Sequence, residues 1–91
     1  MSYIQKLIPS NKFDDSHINE LKQLSHDEIR PILPNLLEWI QDYNWPIAKQ
    51  ILSILLQHED DVTPLVLEIL QKSTDSMWKY WLMNLYIPQL S

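Results

Sequence analysis

The sequence LPNLLEWIQDYNWPIA, from Leu33 to Ala48, predicts a helix, a tight corner and the start of a second helix. Pro34 suits a first helical turn, where its missing N–H group costs no hydrogen bond. The apolar residues that follow recur at helical spacing. They are Leu36, Leu37, Ile40 and Tyr43. Asn44 then interrupts the pattern and suits the N-cap of a helix that starts near Trp45. Two helices joined this closely form an antiparallel pair or a sharp elbow.

The same periodicity continues on both sides of the corner and predicts about five helices in all. Asp14 or Asp15 suits the start of the first helix, and Ser25 with Glu28 forms a capping box for the second. The third helix, which should reach Gln57, is apolar around much of its circumference. We therefore expect the third helix to be the central and most buried one.

The C-terminal third of the chain predicts two further helices. Residues 58–61 form a polar connection, and Thr63 with Pro64 begins the fourth helix. One of residues 73–75 caps the fifth helix, and Pro88 ends it. We expect the inward face of the fifth helix to comprise Met77, Trp78, Trp81, Leu82, Leu85 and Tyr86.

The composition argues against several classes of protein. The 91 residues contain no glycine, which disfavours tight β-hairpins and the phosphate-binding loops of nucleotide enzymes. They contain no cysteine, so disulfides and thiolate chemistry are excluded. The formal net charge of −5 disfavours nucleic acid as a partner. No segment has the length and apolar character of a membrane span or a signal peptide, so we expect a cytoplasmic protein without membrane association.

A shift of 30 residues aligns residues 34–55 with residues 64–85 and produces seven identities. The identical pairs are Pro34/Pro64, Leu37/Leu67, Glu38/Glu68, Gln41/Gln71, Lys49/Lys79, Leu52/Leu82 and Leu55/Leu85. A period of this length is typical of stacked helical hairpins. We therefore expect an all-α fold, a short α-solenoid in one domain (residues 1–91), with a degenerate N-terminal cap (1–31), a first hairpin (32–57) and a second hairpin (62–87). The alternative is two unrelated amphipathic hairpins in a bundle.

The corner and a downstream segment, TDSMWKYWLMNL (residues 74–85), resemble an uncharacterised family, the domain of unknown function 5071. The matching motifs are Leu7-Ile8-Pro9, Phe13, the run Ile29–Pro34, Leu36-Leu37, Trp39, Gln41-Asp42, Asn44-Trp45-Pro46 and Trp78–Trp81. The resemblance covers nearly the whole chain. It implies a small HEAT-like helical domain and carries no activity that could be transferred. It also implies a further acidic C-terminal helix, so a chain that stops at Ser91 is expected to be a short or truncated member.

The residues that could carry chemistry lack the spacing that catalysis or metal binding needs. No histidine has a partner at i, i+4 for a helical metal pair; the three are His17, His26 and His58. Asp14-Asp15 and Asp60-Asp61 suit helix starts better than a pair of catalytic carboxylates. We therefore expect no enzymatic activity, no metal and no cofactor, with a metal site in residues 58–61 as the less favoured alternative.

The leading hypothesis is a protein-interaction module that binds another polypeptide on one helical face. The repeat, the missing catalytic groups and the acidic surplus motivate it, and the surplus favours a basic partner, as for immunity proteins or antitoxins. The predicted contact residues are Tyr43, Lys49, Gln50, Ser53, Lys79, Tyr80 and Met83. The alternative is a small-molecule-binding or enzymatic domain with a pocket between the hairpins, lined by Trp39, Trp78 and Trp81.

Overall fold

A computed structural model of the protein describes residues 2–90, with side chains from residue 4 onward, and these residues form helices and no strand. The α-helices are α1 (Ser2–Gln5), α2 (Ile18–Gln23), α3 (His26–Ile29), α4 (Leu33–Leu37), α5 (Ala48–Leu56), α6 (Glu59–Lys72) and α7 (Ser76–Trp81). Turns of 3₁₀-helix extend α3 (Arg30–Ile32) and α4 (Glu38–Ile40). A π-helical turn (Leu82–Tyr86) and a 3₁₀ turn (Ile87–Gln89) extend α7. The predicted all-α class is confirmed.

Helix α5 lies at the centre of the core, as the sequence predicts. Its residues Ile51, Ile54 and Leu55 are completely buried, and they belong to one cluster that includes Leu7 from the N-terminal segment and Tyr86 near the C-terminus. The extensive contacts of α5 are with α2, with α4 and its 3₁₀ extension, and with α6. Stacked hairpins would place α7 beside α5, but α7 is not among the elements with which the described residues of α5 make these extensive contacts.

The corner between α4 and α5 differs from the prediction, because Asn44 does not cap the next helix. Helix α5 begins at Ala48, and no side chain caps it. The Asp42 carboxylate instead accepts a hydrogen bond from the Asn44 backbone N–H at 2.9 Å, which folds the corner into turns. The N–H of Ile47 donates to the carbonyl of Lys12 at 3.1 Å. The N-terminal segment therefore supplies a partner that a cap would otherwise have provided.

Helix α6 begins one turn earlier than predicted, at Glu59 instead of Thr63, so Pro64 lies inside the helix. An interior proline removes one hydrogen bond and crowds the preceding turn. Two features offset that cost. Three acidic residues occupy the first turn, where the helix dipole favours negative charge. The earlier start also buries Val62 completely.

The predicted polar connection at residues 58–61 is wrong for a second reason, because His58 is buried. Only 5% of His58 is exposed, and its ring packs edge-on against that of His26, with 4.6 Å between the centroids. The two Nδ1 atoms are 2.6 Å apart, so one ring donates a hydrogen bond to the other. Arg30 strengthens the same contact, since it pairs with Asp61 of α6 at 3.3 Å. These pairs join α3 to the start of α6.

The C-terminal helix is capped as expected, but its inward face is narrower than predicted. The Asp75 carboxylate accepts a hydrogen bond from the Trp78 backbone N–H at 3.0 Å. Leu82 and Tyr86 are buried, whereas Met77, which we expected to face inward, is 53% exposed. The Tyr86 hydroxyl lies 2.9 Å from the hydroxyl of Thr63 on α6, and burial raises the pKa of Tyr86. Tyr86 therefore fastens the end of the chain to α6.

The capping geometry predicts that Asp75→Ala destabilises the domain while Asn44→Ala does not. Loss of the Asp75 cap should cost about 1 kcal/mol of unfolding free energy. Asn44 is exposed and engages Asp42 only through its backbone, so its substitution should stay within about 0.5 kcal/mol of the parent. Urea denaturation of the two variants measures both values. Equal losses in the two variants would contradict the assignment of Asp75 as the cap.

The histidine pair predicts that stability falls as the pH drops below about 6.5, the ordinary histidine pKa. Burial lowers the pKa of His58, the neighbouring His26 lowers it further, and Asp61 opposes them. Just below pH 6.5, His58 therefore binds a proton in the unfolded chain more readily than in the folded chain. One such proton makes stability fall by at most about 1.4 kcal/mol per pH unit.

The measurement is the unfolding free energy between pH 5 and 8 for the parent, His58→Gln and a control, His17→Gln. The dependence of the unfolding free energy on pH should become weaker in His58→Gln and stay unchanged in the control. His17 precedes α2 and pairs with Glu20, so it does not belong to the histidine pair. An unchanged slope in His58→Gln would show that other groups carry the acid sensitivity.

Candidate functional site

A shallow pocket brings together three of the residues predicted to contact a partner. Its cavity volume is about 190 Å³, and Tyr43, Lys49 and Ser53 line it. Lys49 and Ser53 are four residues apart on α5, so they lie on one side of that helix. Leu52, Leu56 and Gln89 complete the lining. The pocket is apolar at its base and carries one cation, the Lys49 ammonium.

A row of aromatic rings connects this pocket to the C-terminal helix. The ring of Tyr43 lies 5.7 Å from that of Trp81, and Trp81 lies 5.0 Å from Tyr80 in an edge-to-face contact. Aromatic pairs at these distances are stabilising beyond the area they bury. Trp81 is half-buried, and its indole N–H has no hydrogen-bond partner among the described residues. Tyr80 is 56% exposed at the outer end of the row.

The C-terminal helix and its π-helical turn carry two further predicted residues. Met83 is 59% exposed and lies three residues after Tyr80, within the π-helical turn. Lys79 is half-buried on the same helix. Gln50 of α5 is exposed next to Lys49 but does not line the pocket. We call these residues the aromatic strip: Tyr43, Lys49, Gln50, Ser53, Lys79, Tyr80, Trp81 and Met83.

Sequence reasoning missed three neighbours of the strip. Met77, at 53% exposure, continues the spacing of three that runs through Tyr80 and Met83, so the helical period could have identified it. Leu56 ends α5 and is one of the apolar residues that cover much of the circumference of that helix. Gln89 follows Pro88 in a turn that no sequence signal predicts, and its amide donates to the Leu85 carbonyl at 2.7 Å.

The tryptophans expected to line one pocket lie in different places. Trp39 lines a pocket of about 180 Å³ together with Trp45, and the two rings meet edge-on at 5.7 Å. Trp78 lines another pocket of about 160 Å³, and its indole N–H donates to the Leu37 carbonyl at 3.1 Å. Trp81 belongs to the aromatic strip. The structure therefore does not bring Trp39, Trp78 and Trp81 around one of these pockets.

The acidic clusters serve local structure. Asp14 accepts hydrogen bonds from Ser16 and Ser10, which hold the pKa of its carboxyl well below the usual range. Asp61 pairs with Arg30. Among residues 2–90, no group of three or more histidine, aspartate or glutamate side chains is arranged to hold a metal ion. Within the same part of the chain, none of the helices has the length and apolar character needed to cross a membrane.

Comparison with known proteins identifies the family without suggesting an activity. No curated protein matches the chain. The family profile described as Domain of unknown function (DUF5071) matches residues 7–91, which include the corner, the pocket and the whole aromatic strip. The chain therefore belongs to the DUF5071 family.

Proposed function

We propose that this domain is a non-enzymatic protein-interaction module that binds another polypeptide through the aromatic strip. The observation that carries the proposal is the row Tyr43–Trp81–Tyr80, which leads from a shallow pocket to an exposed tyrosine. A partner side chain could fill the pocket while the partner backbone crosses the row. Binding energy in protein interfaces concentrates on such aromatic anchors next to pockets.

The composition of the strip agrees with this role. Tyrosine, tryptophan and methionine are enriched in the centres of protein interfaces, and here they stand beside polar residues at the edge. Tyr80 and Met83 are large apolar side chains that the fold leaves more than half exposed. Scattered exposed apolar residues are ordinary, but Tyr80 contacts the Trp81 ring, which contacts Tyr43 of the pocket, and Met83 lies three residues after Tyr80 on the same helix.

We also propose that the two hairpins form a short HEAT-like solenoid and that the protein acts in the cytoplasm. The identities at a spacing of 30 residues support the solenoid. The absence of cysteine from the sequence is consistent with a reducing compartment. A specific form of the proposal is an immunity- or antitoxin-like protein, since the net charge of −5 would attract a basic toxin over long range, while Lys49 and Lys79 of the strip would pair with carboxylates within the toxin's contact surface.

The alternative function, a small molecule bound in a tryptophan-lined pocket, has weaker support. The three pockets described above have volumes of about 160–190 Å³. Pockets that enclose a small molecule are usually about 300–1,000 Å³. These three pockets therefore suit single side chains of a partner better than a whole ligand.

The strip predicts that Tyr80→Ala and Lys49→Glu weaken binding to the partner while the fold persists. The partner would first be captured from the native host and identified by mass spectrometry. The dissociation constant of the purified pair should then rise roughly tenfold or more in each variant, because an aromatic anchor is truncated or a contact charge is reversed. Circular dichroism and the melting temperature should remain close to those of the parent, since both side chains are exposed.

Matched controls are Phe13→Ala, which removes an exposed aromatic ring outside the strip, and Lys22→Glu, which reverses an exposed charge on α2. Both should bind as the parent does. If Tyr80→Ala and Lys49→Glu also bind like the parent, the strip is not the interface. The acidic pairs Asp14-Asp15 and Asp60-Asp61 would then be the next surfaces to test.

A further inference from the structure

A second concave surface lies around Glu38 and has the opposite charge. Glu38 lines both the pocket of about 180 Å³ and the pocket of about 160 Å³, so the two share this residue. We call the pair the Glu38 groove. One end is formed by Trp39, Gln41 and Trp45. The other end is formed by Pro34, Leu37, Leu65, Glu68, Ile69 and Trp78.

The first end of the groove combines aromatic rings with a carboxylate. Trp39 and Trp45 are half-buried and held edge-on, 5.7 Å apart at an interplanar angle of 64°. Tryptophan attracts cations more strongly than any other aromatic side chain. Glu38 is exposed next to both rings and can pair with the cation that they attract. A planar guanidinium suits this combination best, since it stacks on rings and hydrogen-bonds to a carboxylate at the same time.

The second end of the groove has an apolar floor and its own carboxylate. Trp78 is fixed by the hydrogen bond from its indole N–H to the Leu37 carbonyl, so its ring is held rigidly in the lining. Leu65 and Ile69 add aliphatic surface, and Glu68 stands at the edge. A long aliphatic stem that ends in a positive charge matches this surface, because the stem packs on the floor while the head reaches the carboxylate.

The charges of the side chains that line the Glu38 groove favour a positively charged occupant. The groove's ionisable side chains are Glu38 and Glu68, and none of the residues that form it is Lys, Arg or His. Lys72 pairs with Glu68 from outside the groove at 3.1 Å, between two largely exposed side chains, a pairing that a partner can displace at small cost. An anionic or purely apolar occupant would leave Glu38 without a counter-charge at the junction of the two pockets.

We propose that the Glu38 groove binds a basic segment of another polypeptide, with an arginine side chain against Trp39 and Trp45 and a second basic side chain over Trp78. The arginine guanidinium pairs with Glu38, and the second cation pairs with Glu68. The groove is separate from the aromatic strip, so it gives the domain a second recognition surface that selects for positive charge.

The test uses the intact domain and synthetic peptides. An acetylated tetra-arginine amide is titrated into ¹⁵N-labelled protein at about 50 mM salt, where screening is modest. The indole N–H signals report on each tryptophan separately, after assignment by single Trp→Phe variants. The signals of Trp39 and Trp45 should shift with peptide concentration until they reach a plateau, and the signal of Trp78 should shift in the same titration. The signal of Trp81 is an internal comparison that should shift less than those of Trp39 and Trp45, because Trp81 does not line the groove.

Two comparisons separate groove binding from general attraction to an acidic protein. Glu38→Gln should raise the dissociation constant of the peptide roughly fivefold or more, since a direct charge partner is lost. Asp60→Asn removes one exposed charge from α6 about 12 Å along the helix from Glu68, and should change the affinity less than twofold. A tetra-citrulline peptide, which keeps the shape and lacks the charge, should cause no saturable shift.

Three results would overturn the proposal. Equal weakening by Asp60→Asn would mean that the peptide responds only to net charge. Equal shifts with tetra-citrulline would mean that the groove recognises an uncharged peptide. A shift of Trp81 with Trp39 and Trp45 unmoved would place binding on the strip. The first two results concern only the groove and leave the proposed function of the strip untouched, so failure of this proposal and failure of the proposed function are distinguishable.

Discussion

The burial of α5 is the constraint on which the rest of the structure depends. A chain of 91 residues can build only one modest core, and here one nine-residue helix occupies its centre. Helices α2, α4 and α6 pack around it, and residues as distant as Leu7 and Tyr86 join the same cluster. The exposed residues of α5 are Lys49, Gln50 and Ser53. The predicted contact residues on α5 are therefore the part of the central helix that the other elements leave uncovered.

The tryptophan side chains are too large for this small core to enclose them, so they lie at its edge. All four are half-buried, and Trp39, Trp45 and Trp78 pack against the core on one side and line a pocket on the other. Trp78 illustrates this division, because its N–H satisfies the Leu37 carbonyl where α4 changes to 3₁₀ geometry, while its ring lines a pocket. Partly exposed aromatic residues of this kind serve stability and recognition together. Substitutions at these positions must therefore be judged on folding as well as on binding.

Features that depend on a few neighbouring residues could be predicted from the sequence. The capping box of Ser25 and Glu28 is present as expected, because both of its hydrogen bonds lie within four residues. The prediction for Asn44 failed, because the side chain that shapes this turn is Asp42, two residues earlier, which accepts a hydrogen bond from the Asn44 backbone N–H. The sequence indicated a suitable residue type but not which of two neighbours would use it.

Features that depend on distant contacts could not be predicted. His58 belongs to a polar run in the sequence, but the fold buries it and pairs it with His26, 32 residues away. The early start of α6 depends on the same pairing and on Val62 entering the core, which outweighs the local signal of Pro64. For the candidate site, helical spacing predicted that Tyr80 and Met83 share a surface. The joining of Tyr43 to Tyr80 through Trp81 required the folded chain.

Packing alone does not explain all of the identities in the 30-residue repeat. Identities at buried positions, such as Leu52 and Leu82, arise readily because any helical core favours leucine. The charged identities are different. Glu38 and Glu68 line one pocket of the groove, whereas Lys49 and Lys79 belong to the strip. Leu37 and Leu67 show that the two halves are not equivalent in packing, since one is buried and the other is 49% exposed. Surface charges that match between halves whose packing differs agree with the two binding surfaces proposed above, the negative Glu38 groove and the aromatic strip with its two lysines.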